Sequence, residues 1–275
     1  MTVAASAVAS FLDAPFTGPD ATVNGVDALD AAGSDDLAFC VYEDPERVRE
    51  SGAGVVVCPT SIPDLDGRTL VRSSRPKFDF ARAAVEFFGD GREKTGVHPT
   101  AWIADGATLG DDCYVGPNAV VGDAVRLGDR VRIQGGAVLG APGFGYVRDE
   151  DDRLLRQFHD GDVVVEDDVS VGPNTSIDRA VFEETRIRRG AKLSANVHVA
   201  HQAEVGADAT VACGCGFAGG ATIGDRTTVH PHVSVATDVE VGADAELGMH
   251  ATVLDDVSAG ALVVGSPAEP VGDEP

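Results

Sequence analysis

The chain has 275 residues, enough for a full hydrophobic core and for two domains. Its 45 acidic and 21 basic residues give a formal net charge of −24, which argues against nucleic acid or an anionic membrane as a partner. Lysine is scarce, and this composition is typical of a halophile-like surface that stays soluble in high salt. No apolar stretch is long enough to span a membrane, and Met1 to Leu12 lacks a basic leader, so we expect a short helix there and a cytoplasmic protein.

Residues 1–95 predict a small α/β domain. Asp44 precedes a helix start, and Gly54 to Cys58 is typical of a buried strand. A second strand is expected at Thr69 to Val71, and an amphipathic helix at Phe78 to Phe88.

A six-residue repeat then runs from Val97 to about Val257. Each repeat opens on an aliphatic residue and places a small or β-branched residue four positions later, as at Val199 and Ala203. Three repeats make one coil of 18 residues, and stacked coils lie about 4.8 Å apart. The repeat predicts a mainly β fold, a parallel β-helix over residues 96–265 with a short tail at 266–275. A β-sandwich would instead alternate every second residue, with turns every 8–12 residues, and neither pattern is present.

Two interruptions break the repeat. The first, from Gly140 to Asp162, contains the string Gly-Phe-Gly-Tyr at residues 143–146, and the second adds four residues between Ile177 and Ile187. Insertions leave a solenoid as loops on one edge, and such loops usually bind ligands. A disordered surface loop is the alternative, and it suits only the charged part of the first insertion.

His201 is the best candidate for a general base. It stands third in the repeat that Val199 opens, and Gly219 follows 18 residues later, so the two stack on neighbouring coils. A neutral imidazole can take a proton, and a glycine N–H can stabilise an oxyanion, which together suffice for acyl transfer. The alternative is that His201 is merely one of seven histidines on a solenoid surface.

Three strings carry a specific resemblance: GFGY at 143–146, TSIDR at 175–179 and VAHQ at 199–202. In this order, on this repeat, the chain resembles the UDP-3-O-acylglucosamine N-acyltransferases over nearly its whole length. The resemblance implies a left-handed β-helix, a homotrimer with active sites between prisms, His201 as general base and Gly219 as oxyanion donor. It also implies acyl transfer from acyl-CoA or acyl carrier protein to the amine of a UDP-linked amino sugar, without a metal or other cofactor.

The same resemblance places the substrate. It assigns the uridine to the N-terminal domain, and the substrate-binding residues that it implies are Phe39, Phe144, Tyr146, Asp178, Arg179, His198 and Asp238. The chain departs from the family where Asp238 replaces a second histidine, and where Arg47 replaces the tyrosine of the uracil-binding string that Phe39 begins. His198 resembles the paired histidine of the UDP-N-acetylglucosamine O-acyltransferases. The ending Val264 to Ala268 resembles CoA-dependent sugar acetyltransferases, so O- or N-acetyl transfer to a sugar stays open as an alternative.

A basic patch follows the second interruption. It contains Arg188, Arg189 and Lys192, preceded by Arg179 and Arg186, and it is the densest positive segment of this acidic chain. We expect Arg188, Arg189 and Lys192 to bind phosphates of the donor or the nucleotide. The alternative is a set of surface ion pairs with Glu183 and Glu184.

Two functions from other classes also fit the repeat. His232 and His250 are 18 residues apart and should stack, which suits a γ-type carbonic anhydrase with bound zinc, but the third histidine of that site is missing and no metal site is predicted. A non-catalytic solenoid is the other alternative, and it would leave the GFGY string unexplained.

Overall fold

The computed structural model describes residues 2–89 and 95–271, and the chain divides into two compact units, Met1–Glu93 and Lys94–Pro275. The division falls close to the expected boundary at residue 95. The last four residues of the expected tail lie outside the described residues. Within the described ranges, no helix combines the length and the apolar character that a membrane crossing needs.

The N-terminal unit is an α/β fold. Its helices lie at Ala5–Leu12, Pro45–Glu50 and Pro76–Phe88. A five-stranded sheet has the order Phe16–Thr17, Thr69–Ser73, Val55–Pro59, Asp36–Phe39, Gly25–Val26, and only the first pairing in this order is antiparallel. A separate antiparallel pair joins Val3–Ala4 to Thr22–Val23.

The helices and strands form where the sequence predicts them. The Asp44 side chain accepts a hydrogen bond from the Glu46 backbone N–H at 3.0 Å, which caps the second helix. Val55, Val56, Val57 and Cys58 are fully buried, as a strand covered on both faces requires.

The second unit is a β-helix whose coils contribute strands to three parallel sheets. Sheet 1 contains Gly96–Val97, Tyr114–Val115, Arg132–Ile133, Ser170–Val171, Lys192–Leu193, Thr210–Val211, Thr228–Val229, Glu246–Leu247 and Leu262–Val264, with Glu269–Pro270 added antiparallel at its end. Sheet 2 contains Trp102–Ile103, Val120–Val121, Val138–Pro142, Ser176–Arg179, His198–Val199, Gly216–Phe217, Ser234–Val235 and Thr252–Val253. Sheet 3 contains Thr108–Leu109, Val125–Leu127, Asp162–Val165, Glu184–Ile187, Glu204–Val205, Thr222–Ile223 and Glu240–Val241.

Away from the two interruptions and the last coil, an 18-residue register positions each coil on the next. His198 pairs with Gly216 and Val199 with Phe217, each partner 18 residues further along the chain. Val199 and Phe217 point into a core of stacked aliphatic side chains, where both are almost completely buried. The predicted β-helix is therefore confirmed, and sequence separation translates directly into height along its axis.

Most corners between sheets are tight turns with a residue of positive φ. Gln202, for example, has φ 61°, and the turn around it closes with a hydrogen bond from Ala203 N–H to Ala200 C=O at 3.2 Å. A positive φ at the third position of a turn suits Asn, Asp or Gly, and these residues fill most of the corners. The second residue of the turn, here His201, projects outward from the corner.

The two interruptions of the repeat meet in space. The first forms an antiparallel hairpin of Tyr146–Arg148 and Leu154–Arg156. Where the hairpin returns to the β-helix, Asp160 and Gly161 donate backbone hydrogen bonds to Val181 C=O and Ala180 C=O in the second interruption. Both breaks in the repeat therefore form one irregular region beside the corner that follows Ser176–Arg179.

Candidate active site

His201 and Gly219 occupy equivalent corners of adjacent coils, between sheets 2 and 3. Gly220 N–H donates to His201 C=O at 3.0 Å, which joins the two turns. A Cβ built on Gly219 would lie only 2.4 Å from His201 Cε1, so the imidazole lies directly against the Gly219 backbone. The stacking that the 18-residue spacing predicts is present, and a side chain at position 219 would displace the ring.

The neighbouring residue Gln202 sets the tautomer of His201. Gln202 Oε1 accepts a 3.4 Å hydrogen bond from Val181 N–H, which identifies this atom as the amide oxygen, and it lies 2.8 Å from His201 Nδ1. An amide oxygen can only accept, so Nδ1 carries the proton and Nε2 has a free lone pair. The backbone N–H of Gln202 donates a hydrogen bond to Thr185 Oγ1 at 2.8 Å. The second interruption and sheet 3 therefore hold the imidazole in the form that can act as a base.

The Gly219 N–H is suited to an oxyanion. It occupies the second position of the turn that Ala221 N–H closes onto Ala218 C=O at 3.1 Å, and this turn provides no acceptor for the N–H at that position. A donor held by a rigid turn beside a base is the arrangement that stabilises the tetrahedral intermediate of acyl transfer.

Asp178, from the TSIDR string, places a buried carboxyl group close to the histidines of the site. Its side chain is buried, and its carboxylate lies 3.7 Å from His198 Nε2, while His198 Nδ1 lies 2.7 Å from Ser176 Oγ. Burial raises the pKa of Asp178, and the nearby imidazoles of His198, His201 and His159 oppose that rise.

A third histidine, His159, belongs to this cluster. Its ring is 95% buried, and it contacts the His201 ring edge to face with 5.4 Å between the ring centroids. The turn Gly143 to Gly145 covers both rings: a Cβ on Gly143 would lie 3.0 Å from His159 Nε2 and 3.0 Å from His201 Cδ2. Glycine is required at 143 because a side chain would collide with one ring or the other.

The aromatic residues of the GFGY string remain exposed. Phe144 is 85% exposed and Tyr146 is 44% exposed, with their rings 5.3 Å apart. Single exposed aromatic residues are ordinary, but a pair at the tip of a turn that covers a base provides an apolar surface for a ligand.

Two further predicted residues, Arg179 and Asp238, have different surroundings. Arg179 donates from Nε to Gly161 C=O at 2.9 Å and lies 3.8 Å from the Asp160 carboxylate, so its guanidinium joins the hairpin to the β-helix. Asp238 stacks over Gly220, on the same corner one coil beyond Gly219. Substrate binding by these two residues stays a prediction.

The basic patch lies at another corner, and part of it is paired with acidic side chains. Arg188, Arg189 and Lys192 follow sheet 3, whereas His201 precedes it. Arg188 forms an ion pair with Glu204 at 2.5 Å, and Lys192 Nζ donates to Asp168 C=O. The alternative interpretation, ion pairing, accounts for Arg188 with Glu204 and for Arg186 with Glu184 and Glu166. Phosphate binding by Arg188, Arg189 and Lys192 stays a prediction.

The N-terminal unit contains its own candidate groove. A cavity of about 370 Å³ is lined by Phe39, Tyr42, Arg47 and Lys77 among others. The Arg47 guanidinium lies 4.5 Å from the centre of the Tyr42 ring, and the Phe39 ring lies 4.8 Å from that of Phe80. Aromatic faces beside two cations suit a base and its phosphates.

The second histidine pair stacks as predicted. The His232 and His250 rings are 4.9 Å apart with an interplanar angle of 15°. Across residues 2–89 and 95–271, no group of three or more His, Cys, Asp or Glu residues is arranged to hold a metal ion.

Three contributions to the site escape sequence reasoning. His159 lies at the end of an insertion, where the 18-residue rule assigns no height, and only its position beside the returning repeat singles it out. Gln202 follows His201 directly, so its role depends on a side-chain contact that spacing cannot show. Tyr42 falls in the segment where the uracil-binding string departs from the family pattern.

Comparison with known proteins identifies relatives of the fold. The family described as bacterial transferase hexapeptide (six repeats) matches residues 98–141. Among solved structures, the chain is similar to LpxA from Acinetobacter baumannii, with 21% identity, a TM-score of 0.55 and coverage of 64% of this chain and 73% of that one. It is also similar to UDP-N-acetylglucosamine acyltransferase from Campylobacter jejuni, with 22% identity, a TM-score of 0.53 and coverage of 64% and 74%. These likenesses concern the fold.

The curated relatives are closer in sequence. UDP-3-O-acylglucosamine N-acyltransferase of Wolinella succinogenes is 32% identical over 251 residues, which cover 80% of this chain and 79% of that protein. The protein of the same name from Syntrophobacter fumaroxidans is 33% identical over 240 residues, with coverage of 73% and 67%. The chain is therefore an acyltransferase that belongs to the UDP-3-O-acylglucosamine N-acyltransferase family.

Proposed function

We propose that this enzyme transfers an acyl group from a thioester, acyl-CoA or acyl-carrier protein, to the amine of a UDP-linked amino sugar. The observation that carries the proposal is the stacked pair of His201, with Nε2 free to accept a proton, and Gly219, with its N–H free to donate. The names of the relatives supply the class of acceptor.

The reaction follows from this pair. His201 Nε2 removes a proton from the amine as its nitrogen attacks the thioester carbonyl carbon, and the carbonyl oxygen becomes an oxyanion that the Gly219 N–H stabilises. The intermediate then collapses: the carbon–sulfur bond breaks, the amide forms, and the thiolate takes the proton from the His201 imidazolium. Asp178 stabilises that imidazolium through its negative charge.

The rest of the substrate is placed by the surrounding residues. In the proposal, Phe144 and Tyr146 contact the acyl chain or the sugar, His198, Asp178 and Asp238 contact the sugar, and Arg179 holds the hairpin in position. The groove of Phe39, Tyr42 and Arg47 accepts the uridine. A homotrimer, a cytoplasmic location and the lack of any cofactor belong to the proposal as well, and the five unpaired cysteines agree with a reducing compartment.

The test is mass spectrometry of reactions in high salt that pair UDP-amino sugars, including 3-O-acylated ones, with acyl-CoA or acyl-carrier protein. We expect an N-acylated product, and we expect His201→Ala to lower kcat by about 10²- to 10⁴-fold because general base catalysis is lost. His98→Ala is the matched control, since His98 follows the sheet 1 strand Gly96–Val97 and its Nδ1 hydrogen-bonds with Thr100.

Other products would identify the alternatives. Acetyl transfer from acetyl-CoA to a sugar hydroxyl would replace the proposal with a sugar O-acetyltransferase. Equal activity of His201→Ala and the wild type would remove His201 from the mechanism, and no transfer from any donor would favour a non-catalytic solenoid.

A further inference from the structure

His159 combines three features that the proposed mechanism does not use. It is 95% buried, it lies beside the base, and its Nε2 atom is both shielded from solvent and without a hydrogen-bond partner. A buried acceptor without a hydrogen-bond partner destabilises the folded protein, so such an atom beside the proposed base calls for a functional reason.

The tautomer of His159 follows from its one hydrogen bond. Its Nδ1 lies 3.1 Å from Gln157 C=O, and a carbonyl oxygen can only accept, so Nδ1 carries the proton. In the neutral ring, Nε2 therefore presents a lone pair and can only receive a hydrogen bond. Nε2 is therefore a hydrogen-bond acceptor without a donor among the described residues.

The turn at residues 143–145 controls access to Nε2. A Cβ at position 143 would lie 3.0 Å from both His159 Nε2 and His201 Cδ2, so the backbone of this turn closes over both rings and a ligand can reach Nε2 only if the turn moves. The covering turn is held by hydrogen bonds from Gln157 N–H to Gly145 C=O at 2.9 Å and from Arg156 Nη2 to Pro142 C=O at 3.3 Å, whereas Phe144 at its tip is 85% exposed and contributes little packing. A displacement of residues 143–145 would open Nε2 and His201 to the same ligand.

We propose that His159 Nε2 accepts a hydrogen bond from a substrate hydroxyl that lies a few bonds from the reacting atoms, and that it thereby contributes to substrate choice. The inference rests on the proposed function, in which the amine engages His201 and the thioester carbonyl can only accept. The donors that remain close to the reacting atoms are a hydroxyl on the acyl chain near the thioester and a sugar hydroxyl beside the amine.

The experiment compares two matched substrate pairs in full-length enzyme. One pair is acyl-CoA donors of equal length with and without a hydroxyl on the β-carbon, and the other is a UDP-amino sugar with and without the hydroxyl beside the amine. His159→Phe keeps a ring but removes both nitrogens, whereas His159→Gln restores a polar atom near the position of Nε2. Phe158→Ala is the control because Phe158 is 73% exposed beside His159.

We expect His159→Phe to reduce the preference for the hydroxylated member of one pair, measured as a ratio of kcat/KM, by roughly tenfold to 100-fold. His159→Gln should recover part of that preference, and Phe158→Ala should keep the wild-type ratio. The pair that loses its preference identifies the source of the hydroxyl. Wild-type preference in both pairs for His159→Phe would overturn the inference.

A second measurement is independent of turnover and of the folding of any variant. In wild-type enzyme with ¹⁵N-labelled histidine, the His159 Nε2 resonance should shift on addition of one hydroxylated substrate and much less with its plain partner. Equal shifts within both pairs would overturn the inference even if the enzyme is active. Absence of acyl transfer by the wild type, by contrast, would count against the proposed function alone.

Discussion

At the scale of single residues, the site depends on the absence of a side chain at Gly219. Gly219→Ala would place a Cβ 2.4 Å from His201 Cε1, so the ring must move away from the backbone N–H that it faces. We expect kcat/KM to fall at least about 100-fold, because a misplaced base costs that much in comparable sites. The measurement is steady-state kinetics with a crystal structure of the variant.

Gly216→Ala provides the control for this prediction. Gly216 lies three residues earlier on the same coil, and a Cβ there would meet nothing within 4 Å. Activity of Gly219→Ala equal to that of Gly216→Ala would show that His201 does not need its observed position.

Replacing Asp178 by asparagine should raise the stability of the enzyme and lower its activity. Because burial raises its pKa above the ordinary 3.8, the folded state loses stability as pH rises through the raised pKa and the buried carboxyl ionises. Asp178→Asn avoids this cost, so its Tm should exceed that of the wild type at pH 7, and the difference should vanish near pH 3. The same substitution removes the negative charge that would stabilise the His201 imidazolium formed during the proposed reaction, so kcat should fall.

Tm measurements from pH 3 to 8 and a pH–rate profile test both effects. Asp208→Asn, a substitution at a corner that does not face the three histidines, should shift neither quantity. A lower Tm for Asp178→Asn than for the wild type at pH 7 would contradict the prediction, since it would mean that the ion pair with His198 exceeds the cost of burial.

At the scale of elements, the hairpin that interrupts the repeat contributes binding without contributing to the core. Phe144→Ala should change the free energy of unfolding by less than about 0.5 kcal/mol, because Phe144 is 85% exposed. If its ring contacts the substrate, the KM for the acyl donor or the acceptor should rise about threefold to tenfold. Steady-state kinetics and chemical denaturation separate the two quantities.

Met249→Ala is the control for the hairpin, since Met249 is 62% exposed at a remote corner of the β-helix. An unchanged KM for Phe144→Ala together with a clear loss of stability would assign Phe144 a structural role.

The elements also show how far the sequence predicts this molecule. The repeat predicts the strands, the core positions and the stacking of Gly219 on His201, because a fixed period turns sequence separation into distance. The repeat does not predict the position of His159. The hydrogen bonds of the inserted segment, and not the 18-residue period, determine where this segment returns to the coil. The covering of both imidazoles by Gly143 likewise results from two interruptions that meet only in the folded chain.

At the scale of the whole molecule, charge sets the conditions in which the fold is stable. The net charge is −24, and stacked coils bring residues of like charge about 4.8 Å apart wherever a corner repeats an acidic residue. Ion pairs such as Arg226 with Asp244, 2.7 Å apart and exposed, offset little of this repulsion because each contributes about 0–1 kcal/mol.

Salt should therefore stabilise the enzyme. The Debye length falls from about 10 Å at 0.1 M to about 3 Å at 1 M, which screens repulsion among the many carboxylates more than it weakens the few pairs. We expect Tm to rise by several degrees between 0.1 M and 1 M KCl in thermal melts. Choline chloride at equal ionic strength should give a similar rise, and sucrose at equal osmolarity a smaller one. A Tm that stays constant or falls would mean that attraction within the ion pairs outweighs the net repulsion, and that the acidic surface serves another purpose than stability in salt.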